Sequence, residues 1–147
     1  MIAGLEARGV APMKMKLHHL NLTTANVAKM NDFYRNVMGL AAEPTLSSNR
    51  ITNQGYSGDT AFATDGHIQV HMSERDLALG FRQKQFVNPL ERGHIAFRTD
   101  DIAAFKKHLD EKGVPYSVYG TWAMNGWHQI FFHDPDGNVV EVHQANE

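Results

Sequence analysis

Two histidines and one glutamate occupy corresponding points of a pattern that occurs twice in this chain. His19 opens HLNLTTANVAKM, His94 opens HIAFRTDDIAAF, and Glu141 lies in the closing stretch DPDGNVVEVHQ. Two imidazoles and a carboxylate on rigid strands meet the ligand requirements of a first-row divalent ion. The 147 residues include nine histidines and no cysteine. Disulfides, thiolate nucleophiles and cysteine-ligated zinc are therefore excluded, and a metal must rest on His, carboxylate or amide groups.

The elements that position these residues follow from the repeat. Pairing His19 with His94 also pairs Leu20 with Ile95, Leu22 with Phe97 and Val27 with Ile102. The ends of the two halves match as well: Gln69-Val70-His71 aligns with Glu141-Val142-His143. Period-two alternation predicts strands over 17–23, 41–46, 60–64 and 67–72 in the first half. The second half gives 94–99, 114–119, 128–133 and 138–143. Asn26 and Asp101 are the caps of two amphipathic helices, which Gly39 and Gly113 terminate. In the first helix Val27, Met30, Phe33, Tyr34, Val37 and Met38 fall at helical spacing, which makes core packing the reading for Phe33 and Tyr34.

Each half thus reads as βαβββ. The expected organisation is an N-terminal extension (1–14), a first module (15–73), a polar linker (74–92) and a second module (93–147). The fold class is α+β, with the tandem modules forming one curved mixed sheet around a metal-binding cavity. Alternation places Leu20, Leu22, Ile95 and Phe97 under the helices and turns His19, Asn21 and His94 to the opposite face. His67, Gln69, His71, Glu141 and His143 share that face. His67 and His71 are candidates for an acid–base role beside Glu141, and Gln69 for a fourth metal ligand or a pocket hydrogen bond. Asn21, Gln129, Phe131 and His143 are expected to contact substrate. His18, His108 and His133 read as ordinary. Trp122 and Trp127 flank a Gly-containing loop suited to covering the pocket or to lining a subunit contact.

The stretches HHLNLTTANVAKMNDFYRNVMGL, GHIAFRTDDIAAF and FFHDPDGNVVEVHQ resemble the vicinal oxygen chelate superfamily. That group includes glyoxalase I, extradiol dioxygenases, fosfomycin-type thiol transferases, methylmalonyl-CoA epimerase and metal-free bleomycin-binding proteins. The resemblance covers roughly residues 15–144. It implies His19, His94 and Glu141 as ligands of one divalent metal ion, with Gln69 where some members add a fourth. It also implies a substrate chelated through vicinal oxygens, and an extradiol-type dioxygenase using Fe(II) or Mn(II) is the favoured expectation. A glyoxalase I-like lyase or isomerase, using Ni(II) or Zn(II) with Glu141 as base, is the alternative. The thiol transferase is disfavoured, because Asn21 and Phe131 stand where that family has Thr and Tyr. The intact triad argues against a metal-free binder. A homodimer is implied too, with exchange of modules between chains as one form of it.

Composition narrows the partners. A formal charge of −2 gives no electrostatic case for nucleic acid or anionic membranes. No apolar run is long enough to span a bilayer. The segment MIAGLEARGVAPMKMK lacks a signal-peptide core, so a cytoplasmic location and a small-molecule substrate are the expectations.

Overall fold

The computed structural model describes residues 13–146, so most of the expected N-terminal extension lies outside the described residues. The chain forms β1 (Lys16–Thr24), α1 (Val27–Asp32), β2 (Ala41–Ala42), β3 (Thr60–Thr64) and β4 (Gln69–Glu74). It continues with α2 (Leu79–Arg82), β5 (Gly93–Arg98), α3 (Ile102–Lys112), β6 (Ser117–Gly120), β7 (Trp127–His133) and β8 (Val139–Ala145). All eight strands share one mixed sheet in the order β2-β3-β4-β1-β5-β8-β7-β6. The α+β architecture expected from the repeat is what forms. The two βαβββ units meet where β1 pairs antiparallel with β5, at the centre of the sheet.

The helix signals act as their chemistry dictates. Asn26 Oδ1 accepts from the Lys29 backbone N–H at 3.0 Å, and Asp101 Oδ1 from that of Ala104 at 2.9 Å. Gly113 ends α3 in the left-handed region, with φ 70°. Helix α3 covers one end of the convex face, where Phe105 and Leu109 pack on Ile130 and Val142. Helix α1 covers the other, with Val27 against Ala63 and Met72.

Several expectations need correction. After Asp32 the first helix widens into a π-helical turn, Phe33–Val37, in which Met38 N–H reaches back five residues to Phe33 O. The wider turn rotates Phe33, Val37 and Met38 outward, so they are exposed, while Tyr34 stays packed. Leu20 is 37% exposed because the two helices cover the outer parts of the convex face and leave its seam open. The strand expected at 41–46 is only two residues long before the chain turns away. The stretch 74–92 reads as polar, yet Leu79, Val87 and Leu90 are buried in it against Trp122 and Phe131. That segment forms one wall of the concave side.

Gly93 marks the tightest point of the seam. Its φ is 130°, and a Cβ there would stand 2.4 Å from the Asn21 carbonyl oxygen. Gly93→Ala is expected to lower unfolding stability by about 2 kcal/mol, combining backbone strain with separation of β1 from β5. Urea denaturation of the metal-free protein measures it, and an unchanged midpoint would refute this account.

Candidate metal centre

The central pair β1 and β5 brings His19 and His94 to the same concave face, and β8 adds Glu141 beside β5. His94 Nε2 lies 3.1 Å and His19 Nε2 3.7 Å from Glu141 Oε1. All three side chains are buried. They come from a single chain, so the cluster assembles without exchange of modules.

Hydrogen bonds reveal which nitrogens carry lone pairs. The Pro89 carbonyl can only accept, so His94 Nδ1–H donates to it at 2.9 Å. In the neutral ring, Nε2 then turns a lone pair toward a carboxylate oxygen. Two acceptors facing one another at 3.1 Å call for a cation between them, either a proton or a metal ion. His19 Nδ1 is 2.8 Å from His18 Nδ1, and with His19 as donor its Nε2 lone pair faces the same oxygen. Burial lowers the His19 pKa to about 4 despite the attraction of Glu141, so the ring is neutral near pH 7.

The other carboxylate oxygen is held from behind. Arg98 Nε donates to His143 Nε2 at 3.0 Å, which leaves Nδ1–H of His143 to donate to Glu141 Oε2 at 2.6 Å. His143 is itself clamped, stacked 4.2 Å from the Trp127 ring. Burial alone would raise the Glu141 carboxyl. Coupling to His19, which competes for the same proton, and the hydrogen bond from His143 outweigh it and hold the pKa well below the usual carboxylate range. Glu141 is therefore an oriented anion.

His19, Glu141 and His143 also form a group whose nitrogen and oxygen atoms lie within 4.8 Å of one another. We place His143 outside the donor set, because its Nδ1 proton already serves Glu141 and its Nε2 serves Arg98. A histidine that fixes a ligating carboxylate in this way is a common supporting arrangement.

A narrow cavity of about 50 Å³ opens onto the cluster. His71, Asn21, Gln129 and Phe131 line it, as the alternation argument anticipates. Both tryptophans line it too. His67 does not: it is exposed in the turn before β4, its N–H bound to Asp65. His143 is fully buried behind Glu141 and does not line the cavity. Gln69 also lies off the cavity, its Oε1 2.8 Å from His71 Nε2.

The strand register explains the change at Gln69. His19 stands opposite Gln69 and Asn21 opposite His71, whereas His94 stands opposite Val139 and Ala96 opposite Glu141. Overlaying His19 on His94 therefore superposes His71, not Gln69, on Glu141. The neighbouring strands agree, since Phe62 faces His71 and Phe131 faces Glu141. The fourth corner of the pseudo-symmetric site is an imidazole. It is stacked on His19 at 3.8 Å, and burial keeps its pKa well below the usual histidine value.

His18, which alternation turns away, joins the cluster after all. The β1–β5 register slips between Leu17 and His19, and this bulge lets consecutive histidines approach the same side. The His18 ring contacts those of His19, His71 and His143. Burial and the neighbouring cationic sites lower its pKa to about 2.

Comparison with known proteins agrees with this geometry. The chain is 28% identical over 129 residues to Glyoxylase I 4 of Arabidopsis thaliana, covering 86% of this chain and 68% of that protein. It is 24% identical over 131 residues to the uncharacterized protein YaeR of Escherichia coli (strain K12), covering 88% and 95%. Methylmalonyl-CoA epimerase from Mycobacterium tuberculosis shares the fold, with TM-score 0.68, 16% identity and coverage of 94% and 93%. A hypothetical protein from Bacillus halodurans C-125 is comparable, with TM-score 0.67, 20% identity and coverage of 91% and 96%. The two solved structures share the fold of the eight-stranded sheet. Because the superfamily profile matches residues 16–142, the chain belongs to the Glyoxalase/Bleomycin resistance protein/Dioxygenase superfamily.

Proposed function

We propose that the protein is a metal-dependent lyase or isomerase that moves a proton next to a carbonyl of a small substrate. His19, His94 and Glu141 would hold one divalent ion, and the facing lone pairs of His94 and Glu141 are the observation that carries this part. When bound, the ion supplies Lewis-acid stabilisation to negative charge developing on substrate oxygens. His71 is the residue best suited to take and return the proton. It lines the cavity and stands where the pseudo-symmetry would put a second carboxylate. Glu141 is a poorer base, because His143 immobilises its second oxygen.

The likeness to a protein named as a glyoxalase supports the lyase or isomerase reading over a dioxygenase. An extradiol-type dioxygenase using Fe(II) or Mn(II) is the second reading. It is favoured by one feature, the two-His-one-Glu set with His71 directed to Gln69 instead of Glu141. The resemblance to this superfamily leads us to propose a homodimer. Among the described residues no helix is long and apolar enough to cross a membrane.

The two readings separate in one experiment. Metal-free protein is loaded in turn with Ni(II), Zn(II), Mn(II) and, anaerobically, Fe(II). Proton exchange into deuterated water is followed by NMR on 2-oxo compounds and hemithioacetals, and oxygen uptake is followed with catechols. Metal-dependent exchange without oxygen uptake is expected. Uptake with a catechol and no exchange would replace the first reading with the second. Failure to bind any of the four ions would remove both.

A further inference from the structure

With a divalent ion bound, the charges around the cavity would not balance. Among its lining residues Glu141 is the carboxylate and Arg50 the guanidinium, so a divalent ion beside Glu141 leaves a clear positive surplus. Arg50 lies between β2 and β3, on a segment pinned across the fold. Its backbone bridges to Met124, and the next residue, Ile51, donates to Ala123 O at 2.8 Å.

The guanidinium itself lies 5.6 Å over the Tyr56 ring, and Nη1 donates to Gly58 O at 3.1 Å. Tyr56 is in turn tied to Glu74 O at 2.8 Å. No carboxylate of the described residues forms an ion pair with Arg50, and the exposed Asp59 acts on it only through its field. Burial pulls its pKa down from the ordinary arginine value, with Tyr56 and Asp59 opposing. A half-buried cation with most of its N–H donors not engaged by the protein is a ready partner for a planar anion.

A second group awaits an acceptor in the same cavity. Asn21 is buried, and its Oδ1 accepts from Ser73 Oγ at 2.8 Å. Its Nδ2 is the one buried side-chain N or O of the described residues without a hydrogen-bond partner. Buried donors are rarely left unpaired, and an orphan in a cavity wall points to a ligand that completes it. Asn21 sits between His71 and His94 in the sheet register, so that ligand lies beside the candidate metal donors.

We propose that the cavity takes a short-chain organic anion, a 2-oxo or 2-hydroxy carboxylate, with its carboxylate on Arg50 and one oxygen accepting from Asn21 Nδ2. This names the substrate class of the site and rests on the metal-dependent reading above. Arg50 and Asn21 line the same cavity, so one compact anion can engage both.

The test uses pyruvate as the anionic probe and hydroxyacetone as its neutral counterpart. Both are titrated by calorimetry into Mn(II)-loaded and into metal-free protein. Wild type should bind pyruvate at least tenfold more tightly than hydroxyacetone, and Arg50→Gln should erase that preference by weakening pyruvate far more than hydroxyacetone. Arg50→Lys, which keeps the charge but loses the fork, should give an intermediate ratio, and it decides the matter if Arg50→Gln fails to fold. Asn21→Ala should weaken both probes. Equal binding of the two probes by wild type, or a preference that survives in both Arg50 variants, overturns the proposal. If the protein takes up no metal but the Arg50-dependent preference persists, the anion site stands and the metal-dependent reading falls.

Discussion

Glu141→Gln should abolish tight binding of a divalent ion, by more than about 100-fold, and still leave the metal-free protein folded. The two halves of this expectation have separate causes. The amide lacks the charge that a two-imidazole, one-carboxylate site needs, so the loss exceeds the ~10–100-fold typical of groups that only support a ligand. The metal-free fold, in contrast, gains a partner for each neighbour. The amide oxygen can accept from His143 Nδ1, and the amide nitrogen can donate to the His94 Nε2 lone pair, which lies 3.1 Å from Oε1 in the wild type. No buried group is orphaned, so metal-free stability should change by less than about 1 kcal/mol. Thermal melting reads both effects. A ligand at 100 times its Kd stabilises by about 2.7 kcal/mol, so metal should raise the wild-type Tm and leave that of Glu141→Gln unmoved. A variant that still melts higher with metal would show that the cation sits elsewhere.

His71→Phe isolates the proton-transfer step. Phenylalanine keeps a flat ring against His19 and against Phe62, and removes both ring nitrogens. If His71 is the acid–base group, metal affinity should hold within about threefold while the exchange rate falls by ~10²–10⁴. The split between the two readouts matters more than either value. A parallel loss of metal affinity would make His71 a fourth ligand, and an unchanged rate would return the role of base to Glu141. Thermal melting again guards against misreading a folding defect, since phenylalanine is larger than histidine and leaves Gln69 Oε1 without its donor.

The contrast between His71 and Gln69 shows how far the sequence carries. Alternation correctly assigned both to one face, because residues two apart on a strand always share it. It could not say which lies level with Glu141, because height along the sheet is set by pairing with the neighbouring strand. His19, Asn21 and His94 were legible because they open sharply patterned strands that repeat. His18 was hidden by a bulge, which breaks alternation without leaving a mark in composition. Arg50 lies in a stretch with no period at all. It reaches the cavity through contacts with Met124 and Ala123, which are distant in sequence. His67 failed for a simpler reason. Asp65 caps the turn and ends the strand pattern before it, so the face argument did not apply there.

The antiparallel seam between β1 and β5 has a consequence for the whole chain. His19 belongs to the first strand of the described structure and Glu141 to the last, so an ion held between them closes nearly the entire polypeptide into a loop. Cross-links that close long loops remove the most freedom from the unfolded chain. A bound ion would act here as a removable rivet between the two repeats. The same few atoms that set the chemistry would then also set how firmly the halves of the sheet stay together.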